Sequence, residues 1–241
     1  MALAADSNIV GYQMHSLKAG ASIMGVPWEG VQTPDGKIGL SEMIDTSKLT
    51  PFDVDNAEAG DSVQIWDAGS GWSVPYNYVD AGDIDASYAD TWMDGDQVPH
   101  NLRLDPGQAL CLFLKNTTPV LSFAGQVPEG GTQIVLAQGY NLLASSLPRT
   151  ISLGNKSVVT ISGQTPFDVD NAEAGDSVQV WDIGSGWGLP FNYVDAGDID
   201  PSYADAWMDG DQVVVDVIAP IGSGFLYFAK KAGVTVTFKG L

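Results

Sequence analysis

Polar and apolar residues alternate along several short stretches of the chain. The alternation is clearest at Asp61–Trp66, Asp176–Trp181 and Val234–Phe238, and it is partial at Gln108–Phe113. This period of two is typical of β-strands with one buried face. Gly, Pro, Asp and Asn cluster between such stretches at intervals of roughly 8–15 residues, which is the turn spacing of a sandwich or barrel. The pattern predicts an all-β chain with at most one short helical turn, at Asp85–Met93.

A 49-residue segment of the sequence occurs twice. Residues 50–98 and 165–213, which we call the duplicated blocks, are identical at 42 of 49 positions with a constant offset of 115. The alignment continues without a gap from residues 99–125 onto 214–240, where five of 27 positions match. A repeat of this length indicates a pair of domains rather than a solenoid.

The duplication predicts two tandem, homologous, antiparallel β-sandwich domains of jelly-roll-like form, at residues 1–126 and 127–241. The unequal divergence of the two copies has two explanations. Either local recombination copied the block recently, or both blocks are retained for one surface that does the same job twice. The second explanation places the function on the duplicated blocks and makes the flanking segments scaffold.

The charge and the short apolar stretches exclude several classes of function. The 241 residues include 30 Asp and Glu against 10 Lys and Arg, a formal net charge of −20. Nucleic acids and anionic membranes attract basic surfaces, so neither is an expected partner. The densest apolar stretch, Ala109–Leu114, is far shorter than the roughly 20 residues of a membrane span, so membrane insertion is not expected. Cys111 is the single cysteine, which excludes an internal disulfide, and its apolar neighbours predict a buried, inert thiol.

The acidity lies in the duplicated blocks, each of which has 11 acidic residues and no Lys or Arg. Three explanations are open: a solvated acidic face, a surface for a basic partner, or binding of Ca²⁺, which takes about six to eight oxygen ligands on irregular loops. One acidic cluster lies at Asp53–Asp61 and a second at Asp80–Asp96. The spacing of the acids in both clusters differs from that of an EF-hand. The candidate Ca²⁺ ligands are Asp80, Asp83 and Asp85, with Asp195, Asp198 and Asp200 at the same positions of the second block.

The duplicated blocks are also rich in aromatic residues. Trp66 and Trp181 fall on alternating strands and are expected in the core. Aromatic rings beside carboxylates suit a carbohydrate-binding surface, where rings stack on sugars and acids accept hydroxyl hydrogen bonds; packing in the core or in turns is the alternative. The candidates for exposed, ligand-binding rings lie in or just after predicted Gly-Ser-Gly hairpin loops and are Trp72, Tyr76, Trp187 and Phe191.

Catalysis finds little support in the sequence. The two histidines, His15 and His100, have no histidine at the equivalent positions of the other copy. A Ser-His-acid triad and a zinc site of the His or Cys kind are therefore not expected. Carboxylate pairs of the kind that cleave glycosides are abundant, yet nothing in the sequence singles one out. We predict that the protein is not an enzyme.

Several motifs carry a resemblance to known proteins. Val10-Gly-Tyr-Gln, Leu17-Lys-Ala-Gly, the strand Val-Gln-(Ile/Val)-Trp-Asp in both blocks and the closing Val-Thr-Phe-x-Gly resemble tandemly duplicated, mostly uncharacterised secreted surface proteins of bacteria. The resemblance implies an extracellular, all-β surface protein and supplies no site residues. The opening Met1–Ala5 is similar to the end of a secretory signal peptide, which agrees with export; the alternative is a cytoplasmic start that happens to be rich in alanine.

Together these features predict a non-enzymatic, secreted structural protein, the subunit of a surface layer, fibre or filament, with Ca²⁺ as a candidate stabilising ion. Its expected partner is a second copy of itself, and residues 2–10 are a candidate strand for pairing with a neighbour's open sheet edge. The alternative is a bivalent polysaccharide-binding module or adhesin with one acidic and aromatic site per domain, because two linked sites raise apparent affinity.

Overall fold

The fold is all-β, as the alternation predicts, with 46% strand and 6% helix. The computed structural model describes residues 10–30, 35–53, 59–116, 118–128, 130–168, 174–182 and 184–240. Within these ranges no helix is both long and apolar enough to cross a membrane.

The first half of the molecule, residues 10–128, consists of short strands with a few single helical turns. Its helical segments are α1 (Leu40–Met43) and the 3₁₀ helices Thr46–Lys48 and Ala86–Tyr88. Its described strands are β1 (Val10–Leu17), β2 (Gly20–Gly25), β3 (Ile38–Gly39), β4 (Ser62–Asp67), β5 (Gly71–Trp72), β6 (Tyr76–Val79), β7 (Thr91–Met93), β8 (Pro99–His100), β9 (Arg103–Leu104), β10 (Ala109–Leu114) and β11 (Thr118–Gln126).

The second half, residues 130–240, has the same character, with one described 3₁₀ helix at Pro201–Tyr203. Its described strands are β12 (Thr132–Val135), β13 (Gly139–Ala144), β14 (Ile151–Ser152), β15 (Val159–Ser162), β16 (Ser177–Asp182), β17 (Gly186–Trp187), β18 (Phe191–Val194), β19 (Ala206–Met208), β20 (Val214–Val215), β21 (Ile218–Ala219), β22 (Gly224–Ala229) and β23 (Thr235–Phe238).

Each half contains a seven-stranded antiparallel sheet, and the order of strands is the same in both. The order is β2-β10-β4-β6-β7-β8 in the first half, with β5 on β4, and β13-β22-β16-β18-β19-β20 in the second, with β17 on β16. The registers agree as well, since Ser62 pairs with Asn77 and Ser177 pairs with Asn192. Smaller sheets, β1-β11 and β3-β9 in the first half and β12-β23-β15 and β14-β21 in the second, complete the described strands.

Each half has its own apolar core. Trp28 and Phe123 are among the largest fully buried side chains of the first core, and Tyr227 is among those of the second. A Cβ atom on Gly11 would lie 1.7 Å from the Trp28 ring, and one on Gly125 would lie 2.3 Å from the Trp28 Cβ. Glycine at these two positions therefore allows Trp28 to pack directly against the backbone of β1 and β11.

A third apolar cluster lies where the two halves meet, and we call this contact the seam. Backbone hydrogen bonds cross it: the Gly25 amide donates to the Gly222 carbonyl at 2.9 Å, and the Ala144 amide donates to the Gly107 carbonyl at 2.8 Å. The buried residues of the cluster are Ile23, Ala109, Cys111, Leu142 and Ala144, and Trp66, Trp181 and Leu226 pack against them.

The hydrogen bonds across the seam form an equivalent pair. Gly25 ends β2 and Ala144 ends β13, which holds the same place in the other large sheet. Their acceptors, Gly107 and Gly222, are identical residues at the offset of 115. The backbone hydrogen bond that the first half donates to the second is thus returned by the second half to the first, as in an isologous two-fold interface.

Strand β10 shows how the seam changes the expected burial. The sequence predicts partial alternation at Gln108–Phe113. In the structure Leu110, Leu112 and Leu114 pack in the core of the first half, while Ala109 and Cys111 pack in the seam. Apart from Phe113, which is exposed near the end of the strand, β10 is therefore buried on both faces, because the second half covers the face that would otherwise meet solvent.

The other alternating stretches become strands as expected. Asp61–Trp66 contributes to β4, Asp176–Trp181 to β16, and Val234–Phe238 to β23. The helical turn expected within Asp85–Met93 is the 3₁₀ helix Ala86–Tyr88. Helix α1 was not expected, because four residues carry no readable helical period. The boundary between residues 126 and 127 and the jelly-roll-like form stay predictions.

Candidate binding surfaces

Each half presents a hairpin that carries two tryptophans. Trp66 on β4 pairs with Trp72 on β5, and their ring centroids lie 5.2 Å apart at an interplanar angle of 83°. Trp181 and Trp187 repeat this arrangement at 5.2 Å and 79°. Edge-to-face packing of this kind fixes the outer ring. The sequence predicts Trp66 and Trp181 in the core, but the structure packs both against the seam, because the face of the sheet opposite the core is also covered.

A carboxylate shapes the turn of each hairpin. Asp67 Oδ1 accepts hydrogen bonds from the amides of Gly69 and Ser70, both at 2.9 Å, and from the Ser70 hydroxyl at 2.8 Å. Asp182 makes the same three contacts in the second half, each at 2.8 Å. These donors, the serine hydroxyl first, lower the pKa of both carboxyls because they stabilise the charged form. The two carboxylates thus serve the turn that presents the tryptophans.

The four aromatic candidates differ in exposure. Trp72 is 39% exposed and Trp187 is 37% exposed. Tyr76 and Phe191, at the starts of β6 and β18, are half-buried and pack against the two cores. The outer tryptophans therefore present ring area to a ligand, whereas most of the Tyr76 and Phe191 rings is used in packing. Their role in ligand binding stays a prediction.

The first half carries a polar cluster that the second half lacks. His100 Nε2 lies 2.7 Å from Asp94 Oδ2, and the Tyr76 ring packs edge-on against the imidazole with centroids 5.1 Å apart. The hydrogen bond with His100 is the main reason that the pKa of Asp94 is lowered. In the second half Phe191 and Val215 stand in place of Tyr76 and His100, so neither the phenol nor the imidazole is repeated.

Further apolar side chains are exposed at equivalent positions of both halves. Val74 is 61% exposed and its counterpart Leu189 is 80% exposed. A single exposed apolar residue is ordinary, and because these residues recur at the same places, the two halves offer the same exposed apolar groups. The other pairs, each about half exposed, are Ile84 with Ile199 and Val98 with Val213.

The six candidate Ca²⁺ ligands are exposed and lie in the loops after β6 and β18, namely Asp80, Asp83 and Asp85 in one loop and Asp195, Asp198 and Asp200 in the other. Asp85 and Asp200 cap the 3₁₀ helices, each accepting from the amide and hydroxyl of the serine two residues later at 2.8 and 2.7 Å. These contacts lower the pKa of both carboxyls. In the part of the chain that the structure describes, no three His, Cys, Asp or Glu side chains form a group that could hold a metal ion. The Ca²⁺ site stays a prediction.

Asp61 has a structural role that its place in an acidic cluster does not suggest. It is 1% exposed, and its Oδ1 and Oδ2 accept hydrogen bonds from the amides of Lys115 at 2.7 Å and Thr50 at 2.8 Å. Both oxygens are therefore occupied by backbone donors from segments that flank the large sheet. Residues 54–58 of the same cluster lie outside the described residues.

Two clefts bring candidate groups together. One of about 460 Å³ lies in the second half, where Asp195 and Asp198 meet Asp168 and Lys230. The Lys230 ammonium donates to the Ala174 carbonyl at 2.9 Å, and its charge disfavours a further cation there. The other cleft, of about 200 Å³, opens at the seam and is lined by residues from both halves.

The remaining reactive groups are buried. His15 Nε2 lies 3.2 Å from Gln13 Oε1, and burial lowers the pKa of the imidazole. Cys111 is buried, as expected, and burial raises the pKa of its thiol to about 11, which keeps the thiol protonated at neutral pH. No protein-family model and no curated protein matches this chain. A function must therefore be inferred from the surfaces described above.

Proposed function

We propose that this protein is a non-enzymatic, secreted structural subunit that assembles with copies of itself into a surface layer, fibre or filament. The proposal includes two homologous β-sandwich domains of jelly-roll-like form and kinship with the duplicated secreted bacterial proteins that its motifs resemble. The observation that carries it is the exposure of equivalent apolar side chains on both halves. A subunit that carries the same adhesive surface twice can join two neighbours, which is the least that a growing assembly requires.

The exposed apolar groups lie on well-supported parts of the fold. Trp72 rests on Trp66, and Val74 follows two residues later, before β6 begins. Trp187 and Leu189 hold the same places in the second half. Anchors that are already held by their own chain lose little conformational entropy on docking, so they contribute well to protein interfaces.

The exposed apolar residues recur with the rest of the blocks, which are identical at 42 of 49 positions. Their recurrence gives both halves the same exposed apolar groups, and the proposal adopts the explanation in which both blocks serve one kind of surface. Three pairs are identical between the halves, Trp72 with Trp187, Ile84 with Ile199 and Val98 with Val213, and the fourth pair, Val74 with Leu189, is aliphatic in both.

The acidity of the blocks gives Ca²⁺ a place in the proposal. Two blocks that each carry 11 acidic residues and no basic residue repel one another when they approach. The repulsion acts over about 8 Å at physiological ionic strength, so it opposes close contact more than encounter. A divalent cation shared between two subunits reduces this repulsion without a preformed site in one chain. We therefore expect Ca²⁺ to promote assembly.

Light scattering coupled to gel filtration, with and without millimolar Ca²⁺, tests the proposal. We expect wild-type protein to form assemblies that grow with concentration and with Ca²⁺. The double variant Val74→Ser/Leu189→Ser should stay small, because it removes one exposed pair. Ile218→Ser is the matched control, since Ile218 is exposed but its counterpart is Arg103, and it should assemble as wild type does. A wild-type monomer under both conditions would refute the proposal, and so would unimpaired assembly of the double variant.

A bivalent polysaccharide-binding module is the second candidate, and the exposed rings of Trp72 and Trp187 favour it. Rings held edge-on by a second tryptophan offer flat apolar area for a sugar face. The test is a shift of tryptophan emission on adding soluble polysaccharides. The shift should disappear in Trp72→Ala/Trp187→Ala and persist in Tyr12→Ala, which removes an exposed ring outside the duplicated blocks.

A further inference from the structure

The seam cleft lies between parts of the two halves that are far apart in sequence. Trp66 and Ala68 line it from the β4–β5 hairpin of the first half, and Ile134 and Leu142 line it from β12 and β13 of the second. The turn Asp105–Gln108, just before β10, adds a further wall. The cleft is thus built from three separate segments and exists only when the halves are joined.

Polar groups enter the cleft from the turn Asp105–Gln108. The Gln108 Oε1 atom accepts the Asp105 amide at 3.1 Å, so the NH₂ group is the part of this side chain that can donate to a ligand. The Lys37 ammonium lies 3.0 Å from Asp105 Oδ2, which offsets the charge of a carboxylate that can still accept hydrogen bonds. The cleft therefore combines apolar walls with a donor and an acceptor.

We propose that the seam cleft binds a single neutral pyranose ring. An indole and aliphatic side chains suit the C–H face of the ring, and the carboxylate and amide suit its hydroxyl groups. Pockets for drug-sized ligands occupy about 300–1,000 Å³. The seam cleft occupies about 200 Å³, so it suits one ring rather than a longer glycan. The net charge of −20 disfavours acidic sugars.

The groups that line the cleft are specific to one side of the seam. The residue at position 68 is one of seven that differ between the duplicated blocks, so the hairpin departs from its copy at a lining position. The two groups that offer hydrogen bonds to hydroxyls are not repeated either. The second half has Ile183, Pro220 and Ser223 at the positions of Ala68, Asp105 and Gln108. One site per chain follows, whereas binding through Trp72 and Trp187 gives two.

The test is an NMR titration of the full chain, labelled with ¹⁵N, with the methyl glycosides of glucose, galactose, mannose and N-acetylglucosamine. Cyclohexanol, a six-membered ring with one hydroxyl, is the matched probe for an apolar ligand. We expect at least one glycoside to shift the Trp66 indole signal and the backbone signals of Asp105–Gln108, with no shift at the indoles of Trp72 and Trp187 beyond that of cyclohexanol.

Variants that borrow residues from the second half test the position of the site. Ala68→Ile fills the cleft and should weaken glycoside binding by about tenfold or more. Gln108→Ser removes the amide donor and should weaken it also, which keeps the test valid if the larger side chain disturbs the hairpin. Val74→Leu makes the same kind of exchange outside the cleft and should bind as wild type does.

Four results would overturn the proposal. The first is the absence of shifts with every glycoside. The second is equal binding by wild type, Ala68→Ile and Gln108→Ser. The third is binding of cyclohexanol without any glycoside, which would assign the cleft to an apolar ligand. Shifts confined to the indoles of Trp72 and Trp187 would instead support the bivalent polysaccharide module and contradict a site at the seam.

Discussion

Asp61 in the first half and Asp176 in the second occupy the same place in the same kind of sheet, and both are buried, but their partners differ. Each accepts the amide of the lysine 54 residues later, Lys115 at 2.7 Å and Lys230 at 2.8 Å. Asp176 also accepts the Tyr227 hydroxyl at 2.9 Å. The first half has Leu112 at the position of Tyr227. The contact to the backbone is common to both halves, and the side-chain partner comes from the diverged flank.

The Tyr76, His100 and Asp94 cluster shows the same division. The second half keeps the acid as Asp209 but replaces the other two residues by apolar ones. The contacts that the diverged flanks supply therefore change between the halves, while the blocks keep their buried residues and most of their exposed apolar residues. The difference teaches that the blocks form a common unit, whose exposed apolar residues are the part that the proposed assembly uses, and that the flanks adapt each copy to its own surroundings.

Replacing Asp176 by alanine should produce the largest effect, because it leaves the buried Tyr227 hydroxyl and the Lys230 amide without their acceptor. We expect a loss of about 3 kcal/mol or more in the free energy of unfolding, and about 1–2 kcal/mol for Tyr227→Phe, which removes one donor and leaves the carboxylate bonded. Urea unfolding followed by tryptophan emission measures both. A loss below about 1 kcal/mol for Asp176→Ala would show that the carboxylate does not hold the sheet to its flank.

Opening the seam should lower the free energy of unfolding by less than Asp176→Ala does, but it should change the shape of the molecule more. A Cβ atom on Gly25 would lie 2.5 Å from the Ala144 Cβ, so Gly25→Val overpacks the seam and should destabilise it by about 1–3 kcal/mol. Small-angle scattering should show a larger radius of gyration. Gly95→Val is the control, since a Cβ there meets no atom within 4 Å, and its scattering should match wild type. An unchanged radius for Gly25→Val would argue against the seam as described.

The Cys111 thiol reports on the same contact through its chemistry. Burial in the seam raises its pKa to about 11, so the folded protein should react far more slowly with a thiol reagent at about pH 8 than a free thiol of pKa about 8.5 does. Gly25→Val should speed the reaction, and Gly95→Val should not. Fast reaction of the wild-type protein would show that the seam opens readily on its own.

Removing the Asp94–His100 contact should have the smallest effect on stability. The contact occurs in the first half alone, because the second half has Val215 in place of His100. Its hydrogen bond lowers the folded pKa of Asp94, so it stabilises the fold above the unfolded pKa and this stabilisation is lost as the pH falls through the folded value. His100→Val removes the main cause of the shift. We expect its melting temperature to fall less than that of wild type as the pH is lowered from about 5 to about 3.

Tyr76→Phe is the control for the pH experiment, because it borrows the second half's residue and leaves the Asp94–His100 contact in place. Its melting temperature should fall with pH as that of wild type does. If His100→Val and wild type lose stability equally on acidification, the lowered pKa of Asp94 has another origin.

The sequence predicted the elements whose signal is local. Alternation at Asp61–Trp66 requires only adjacent residues, and the 3₁₀ helix at Ala86–Tyr88 follows from a short polar stretch in a turn. The burial of Asp61 is different, because its partners are the amides of Thr50 and Lys115, 11 and 54 residues away. No local pattern separates a carboxylate that binds distant backbone from one that is solvated.

The seam was missed for a related reason, although one signal was available. The six consecutive apolar residues Ala109–Leu114 are typical of a strand that is buried on both faces. Alternation places Trp66 and Trp181 on one face of their strands, but it cannot tell whether that face packs against the core of its own half or against the seam. The candidate rings Trp72 and Trp187 were easier to place, because Gly71 and Gly186, with φ of 83° and 86°, fix the turn from which each ring projects.

The most direct test of the central claim measures the mass distribution of single variants in the two halves. If each half carries an adhesive surface of the same kind, Val74→Ser and Leu189→Ser should each leave one such surface and stop at small species of about two subunits. Wild type should grow with concentration and Ca²⁺, and the double variant should remain a monomer. Wild-type protein that is monomeric at every concentration, or single variants that grow as wild type does, would contradict the account.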